Sequence, residues 1–573
     1  MKKSFLSMFA LAALLMTGCS SEEVTPNSGD VTGGNAEAET SYLSVNLMST
    51  AATRAAAGYE DGTSVENKIS KVRFYFFTES GAPANVKLQG STYVNYYDWT
   101  PAEGDQIKDP TSTNDVESRL KQATIVISTQ KGDKLPQQMV AVLNPTESEG
   151  ASRTLSQLKG LTKDYADANL TTEGKFVMFN SVYASNGKEI CAVPITSDNL
   201  GKTEALARET PVTIYVERNV AKVDCKMETG LFTDGKLALK DKNGNDLKVG
   251  GKQVYLKING WKVTAETTEG RLGKRMDLEW PLNYSGTHRS FWAINASTAT
   301  NRYCDYNDIK KAIGASLYTN ENAEDYTNSD GQSNNLNHSK VIISGKLYDE
   351  DGNDFTIVRH LGAHFADTPS DIEAKNFPEL KKNILSQLTA NGNHFYYETE
   401  KDGEKIRTQI GVDDLKILIA EQEEKENSQN NCYVYAQLTD DAKAKTWYDS
   451  PDKDAKIVSS ADINTELAKK GTTNKDGTTD PSYRALVWKN GMTYYYYEIN
   501  HTIGFTAPVT FPGVVRNHWY ATTVTKIAGL GTPVYDPDQV IYPEKPDPNE
   551  FYIAAQINIL SWRIVSNNYE LEW

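Results

Sequence analysis

The strongest constraint on this chain is its supply of short apolar–polar alternations closed by turn residues. "GKLALKDKNGNDLKVGGKQVYLKINGWKV", from Gly235, holds two such runs around "NGND". "KVIISGKLYDEDGNDFTIVRH", from Lys340, repeats the design around "DGND". A period of two puts successive side chains on opposite faces of a strand, and Asn-Gly or Asp-Gly supplies the left-handed backbone that tight turns need. "KVRFYFFTE" from Lys71, "ATIVIST" from Ala123 and "QMVAVLN" from Gln138 read as further strands. Helical spacing is local. It appears in "YNDIKKAIGASL" from Tyr306, "DIEAKNFPELKKNILSQL" from Asp371 and "GVDDLKILIAEQEEKE" from Gly411, each opened by an Asp or Asn cap. The pattern predicts a mostly-β chain, two β-sandwiches in tandem with small helical insertions.

The first residues read as an address. Lys2 and Lys3 precede the apolar run Phe5 to Met16, which is too short to span a bilayer. Thr17 and Gly18 then lead into Cys19, the pattern of a lipoprotein signal over residues 1–18 with Cys19 as the acylated residue. Residues 19–40 are polar and Gly-rich, a flexible tether. In "YLSVNLM", Leu43, Val45 and Leu47 alternate with Ser44 and Asn46, the signature of a half-buried strand. It is followed by "AATRAAAG", small residues around Arg54 with Thr53 the lone β-branched neighbour, a stretch suited to a protease. Residues 41–54 therefore form one unit of strand and soft linker.

"PVTIYVERNVAKVDCKME", from Pro211, is the clearest long strand, and the charged Glu217–Arg218 inside it marks a passage from one sandwich to the next. That places one sandwich over residues 55–217 and a second, with insertions, over 218–530. Pro533, Pro537, Pro543, Pro546 and Pro548 keep residues 531–550 extended. Residues 551–573 return to β character. Ile557 and Ile559 share one phase, whereas Leu560, Trp562 and Ile564 share the other. A bulge or two successive strands accounts for the shift.

A formal net charge of -16 argues against a nucleic-acid partner. Beyond Cys19, the cysteines Cys191, Cys225, Cys304 and Cys432 are scattered without a CxxC pair, which argues against zinc and leaves any disulfide pairing open. "HLGAH" sets His360 and His364 four apart, but it lacks the Glu of a metalloprotease motif and continues a strand-like run. "DKNGNDL" from Asp241 and "DEDGNDF" from Asp349 look acidic enough for calcium. Both lack the closing Glu and both sit between strands, so they read as hairpin turns. The 31 tyrosines, including "MTYYYYEINH" from Met492, read first as strand residues. No carboxylate pair, P-loop, nucleophile elbow or dinucleotide fingerprint stands out, so no catalytic residue and no cofactor is expected.

"TYYYYEINH", "FPGVVRNHWYATTVTKIAGLGTP", the proline-rich linker and the closing "INILSWRIVSNNYELEW" together resemble the fimbrillins of Bacteroidia, the type V pilins. "YVERNVAKVD", "YLKINGWKVTAETTEG" and "RSFWAINAS" resemble earlier family segments in the same order, and Asn301 to Glu426 is the least family-like stretch. Within the family the chain looks most like the major shaft subunits of minor-fimbria type. Glu22 and Glu23, just after Cys19, resemble the signals that send such lipoproteins to the outer face of the outer membrane.

The resemblance implies two transthyretin-like β-sandwiches, export as a lipoprotein, and removal of the N-terminal segment by a trypsin-like or arginine-specific protease. It further implies that a C-terminal strand from a neighbouring copy, or from another fimbrial subunit, fills the vacated groove. Carried over here, lipid sits on Cys19 and cleavage falls between Arg54 and Ala55. Leu43, Val45 and Leu47 belong to the placeholder strand. The donor lies within Tyr552 to Trp573 and includes Ile557, Ile559, Leu560, Trp562 and Ile564. The function so implied is a structural pilin supporting adhesion and biofilm or host colonisation. Two alternatives are a tip or accessory adhesin of the same family, and a monomeric surface lipoprotein that binds glycans or proteins.

Overall fold

The computed structural model describes residues 39–49, 62–102, 106–107, 119–120, 123–130, 132–146, 151–241, 243–276, 278, 292–296, 300–323, 338–360, 363–390, 392–420, 433–468, 485–503, 509–543, 552–560 and 565–568. The N-terminal part is built on β1 (Glu39–Ser49), β2 (Val72–Phe77), β3 (Tyr96–Trp99), β4 (Ala123–Thr129), β5 (Gln138–Leu143), β6 (Met178–Asn180) and β7 (Val212–Arg218). They run in the order β3-β2-β5-β6-β7-β1, with β4 paired to β1 on its other side. β2 is buried along its whole length, as a strand covered on both faces requires, and its one charged residue, Arg73, is paired with Asp98 at 2.6 Å. Phe74 and Phe76 share a core with Val140 and Val142 of β5 and with Ile125 and Ile127 of β4.

Asn219 separates β7 from β8 (Val220–Met227), and the two strands lie in different sheets. The second sandwich adds β9 (Tyr255–Thr264), β10 (Ser316–Asn320), β11 (Lys340–Tyr348), β12 (Met492–Glu498), β13 (Trp519–Ala528), β14 (Tyr552–Leu560) and β15 (Val565–Asn568). One five-stranded sheet runs β10-β8-β13-β14-β15. The other, also five-stranded, runs from the short strand Leu237–Ala238 through β9, β11 and β12 to Thr532–Pro533. Val223 and Cys225 of β8, Tyr520 and Val524 of β13, Trp261 of β9 and Tyr495 and Tyr497 of β12 close the core between them. The fold class is mostly β, with β-sandwiches in tandem.

Between β11 and β12 the chain builds a third core of its own. A five-stranded sheet of Ile357–His360, Ala363–Ala366, Leu415–Ala420, Tyr433–Leu438 and Ala485–Trp488 carries the helix Pro378–Ala390, whose Leu380, Ile384 and Leu388 face Val358, Ile417 and Val434. The helical pattern from Asp371 is thus realised, but as two helices. Pro369–Glu373 and Pro378–Ala390 are separated where Lys375 and Phe377 take positive φ and Pro378 starts the second.

The other two expected helices do not form. From Tyr306 the chain is drawn into pairing, with Trp261 N donating to Lys311 O at 2.9 Å and Lys311 N donating back at 3.2 Å, and Ile309 is buried. From Gly411 there is a single 3-10 turn, Val412–Asp414, and then the strand Leu415–Ala420, because Leu415 and Ile417 alternate into the core. In both places tertiary burial overrides helical spacing.

The passage between sandwiches is a buried ionic junction. Glu217 of β7 meets Lys274 at 3.0 Å, and both side chains are shielded from solvent. Arg516 donates to Glu321 at 2.9 Å and 3.1 Å, to the side chain of Asn219 at 3.0 Å and to the Leu272 carbonyl at 2.9 Å. Arg218 reaches the side chain of Asn517 at 3.0 Å. A buried pair is costly to break from one side, since the survivor keeps its charge without a partner. Arg516→Met is therefore expected to cost about 3–5 kcal/mol in urea unfolding. Arg516→Met with Glu321→Leu should cost clearly less than that single change, and equal losses would show that the pair is not what matters.

Candidate functional site

β1 enters the first sandwich as an interior strand. Along one edge Glu39 to Val45 pair antiparallel with Thr129 to Ala123 of β4, and Met48 pairs with Arg119 beyond it. Along the other edge Tyr42 and Leu43 pair antiparallel with Gly201 and Leu200, after which Val45 to Ser49 run parallel to Val212 to Val216 of β7. Leu43 and Val45 are both 0% exposed and belong to the first core.

The alternation in "YLSVNLM" predicts a half-buried strand, yet Ser44 is also fully buried, with its hydroxyl directed to the Ala123 carbonyl at 3.5 Å. The helix Glu204–Glu209 packs against β1 and explains the difference. Gly201 allows that approach, because a Cβ there would lie 2.5 Å from the Ala207 amide. Leu47 pairs with Ile214 in the parallel segment.

Among the described residues, such a strand is held by neighbours remote in sequence. Its burial contributes through Leu43 and Val45 roughly 1.5–3 kcal/mol each, so about 3–6 kcal/mol together. Its backbone satisfies one edge each of β4 and β7. Taking it out would expose two strand edges and an apolar slot at once.

At the other end of the chain β14 pairs antiparallel with β13, from Tyr552 opposite Ala528 to Leu560 opposite Trp519, with a bulge between Val524 and Lys526. Ile557 lies opposite Thr522 and Ile559 opposite Tyr520. β15 then pairs back on β14, with Ile559 opposite Val565, and forms the outer edge of the sheet. Leu560 ends β14 and Val565 begins β15, whereas Trp562 and Ile564, which carry the second phase, fall between them. Cys19, Arg54, Ala55, Trp562, Ile564 and Cys432 lie outside the described residues.

The remaining candidates fall into structural places. His360 pairs with Ala363 and His364 with Arg359 across a hairpin, and the His360 ring meets the Asn383 amide at 3.0 Å. The Asp241 carboxylate accepts from the amides of Asn243 and Asn245, and Asp349 does the same for Asp351 and Asn353. Lys252 supplies the positive charge beside the second turn, 2.8 Å from Asp349 and 2.9 Å from Asp351. Cys191, Cys225 and Cys304 are separate buried free thiols, and burial raises the first two to about 12 and the third to about 11. Tyr494, Tyr495 and Tyr497 are buried in β12. Sequence reasoning missed Glu66, which is 2% exposed beside Lys222 at 3.0 Å. The available signal was Thr63-x-x-Glu66, the spacing of a capping box.

Residues 487–568 match the family model described as major fimbrial subunit protein type IV, fimbrillin, C-terminal. The fimbrillin resemblance in the C-terminal blocks is thereby matched over that stretch. Among solved structures, a fimbrilin from Porphyromonas gingivalis is similar at 14% identity and a TM-score of 0.35, over 91% of this chain and 98% of that one. The C-terminally truncated tip fimbrial protein of the same organism is similar at 10% identity and a TM-score of 0.29, over 91% and 99%. A fimbrial assembly protein from Parabacteroides distasonis is similar at 12% identity and a TM-score of 0.28, over 66% and 98%. No curated protein matches the chain.

The seat of β1 gives a direct expectation. Leu43→Ala, at a position with no exposure, should lower the stability of the intact chain by about 2–5 kcal/mol in urea unfolding followed at the N-terminal sandwich. A loss below about 1 kcal/mol would mean that the strand adds little to that core.

Proposed function

We propose that this chain, which carries the fimbrillin signature over residues 487–568, is a structural subunit of a cell-surface fimbria. It is exported as an outer-membrane lipoprotein through Cys19 and cut between Arg54 and Ala55 by a trypsin-like or arginine-specific protease. It polymerises when the C-terminal segment of one copy, or of another fimbrial subunit, takes the place of β1 in the next. Adhesion and colonisation follow from the polymer.

The observation that carries this reading is the interior seat of β1, paired on both edges and buried at Leu43 and Val45. An N-terminal strand in that position closes the sheet while it is present and leaves a complementary slot when it goes. One cut at Arg54 would separate both the lipid-bearing residue and the strand from the body. A domain is stable by only about 5–15 kcal/mol, so a slot worth several of these is a strong demand for a replacement strand. β-Strand addition meets it, restoring the ladder and the apolar contacts together.

The donor is the C-terminal segment around Ile557 and Ile559. In the single chain this segment lies against β13, so exchange trades one ladder for another and the net driving force is the refilled slot. Thr532–Pro533 and Val540–Ile541 are paired to the body of the second sandwich, so the reach to a neighbour falls to the stretch after Ile541, where Pro543, Pro546 and Pro548 favour an extended chain by composition.

Limited trypsin treatment of the chain beginning after Cys19, with N-terminal sequencing and an unboiled denaturing gel, tests the scheme. The expected result is a terminus at Ala55 and a ladder of heat-sensitive oligomers. Ile557→Asp with Ile559→Asp should keep the cut and lose the ladder. A ladder that survives both charges would place the donor elsewhere. A clean cut that yields only monomer would favour a tip or accessory role.

A further inference from the structure

We infer that the turn Gly62–Ser70 is a latch that ends proteolytic trimming, holding the peptide bond after Lys68 out of reach of a protease that cuts at lysine or arginine. The inference takes its biological sense from the proposed processing at Arg54, but protection of Lys68 is a separate property of the folded chain.

The sequence creates the need. Between Lys3 and Lys68 the one basic residue is Arg54, and Lys68 is followed closely by Lys71 and Arg73. A protease of this specificity therefore meets Lys68 as its next site, and the Lys68 side chain is exposed. A cut there would strip the chain almost to the start of β2 at Val72.

The backbone around that bond is nevertheless tied down on every side. Thr63 and Glu66 form a reciprocal capping box, with the Thr63 amide donating to the Glu66 carboxylate at 2.6 Å and the Glu66 amide to the Thr63 hydroxyl at 3.2 Å. Asn67 N donates to Thr63 O and Lys68 N to Val65 O, closing a helical turn. The Lys68 carbonyl, the acyl side of the scissile bond, accepts from Asn144 Nδ2 at 3.0 Å, and the Ser70 amide donates to Asn144 Oδ1 at 2.8 Å. The turn also presses on Gly174, where a Cβ would meet the Val65 carbonyl at 2.4 Å.

Both sandwiches hold this turn. Lys222 of β8 and Tyr318 of β10 meet the Glu66 carboxylate at 3.0 Å and 2.7 Å, and Arg218 of β7 donates to the Glu66 carbonyl at 3.2 Å and to the side chain of Asn67. Burial alone would raise the Glu66 pKa. The Tyr318 hydroxyl, the Thr63 amide and Lys222 outweigh it and hold the carboxyl below its ordinary 4.5, so the latch is ionised at neutral pH. A protease needs an extended stretch on both sides of the bond it cuts. Reaching Lys68 therefore requires the whole turn to open, which breaks the Glu66 and Asn144 contacts together.

The test is limited trypsin digestion of the full chain, counting termini that begin at Ile69, in wild type, Glu66→Gln and Asn144→Ala. Wild type is expected to yield almost none while folded. Each variant should form them roughly 10–100-fold faster, since cleavage tracks the population of the open turn. Ile69 termini forming in wild type as fast as in heat-unfolded chain would overturn the latch, and so would rates unchanged in both variants. Hydrogen exchange of wild type guards against variants that fail to fold. Protection of the Gly62–Ser70 amides comparable to that of β2 supports the latch, and exchange at the unprotected rate overturns it. A protected Lys68 alongside an uncut Arg54 would sink the processing reading and support the latch.

Discussion

A strand placed between two others has to satisfy a row of peptide groups on each side, and that requirement governs the N-terminal half of this molecule. β1 answers β4 along one edge and β7 along the other, so β7 is not an edge strand while it is present, and among the described residues β1 is the one strand that joins β4 to the sheet. Buried amides and carbonyls without partners are expensive, and no side chain can substitute for a missing ladder. The seat is thus close to all-or-none, filled by a strand or lost as a seat. β7 forms one wall of it, and β7 is fixed in turn by the junction of Glu217, Arg218 and Asn219 with the second sandwich.

How much of this was legible in the sequence depends on the range of the interaction. The alternation of Leu43, Val45 and Leu47 announces a strand because it is local. That the strand is interior was not visible, since its partners at Ala123 and Val212 are far along the chain and Ser44 looks like a solvent-facing residue. The helix Pro378–Ala390 was legible from its own spacing. The segments from Tyr306 and Gly411 were not, because Trp261 and the strand Tyr433–Leu438 claim them for pairing. The junction left only an indirect trace, isolated charges at Glu217, Lys274, Glu321 and Arg516 whose partners come from distant segments.

Residues that look like chemistry serve the architecture instead. Tyr495 and Tyr497 of β12 fill the second core, and the acidic turns at Asp241 and Asp349 fold around their own backbone amides. Each closes a hydrogen-bond account that the backbone opens at a sharp turn.

The parallel pairing of β1 with β7 also sets an order of events in folding. β1 precedes every other described strand in the sequence, yet the wall it leans on ends at Arg218, after the rest of the first sandwich has been made. Contacts of such sequence separation are slow to form because a large loop has to close first. A chain emerging from its N-terminus can pair β1 with β4 once residues 123–129 are made, but the other edge of β1 stays open, and the sandwich locks late, when β7 arrives. The ladder that completes the first sandwich is thus the one between its first strand and its last.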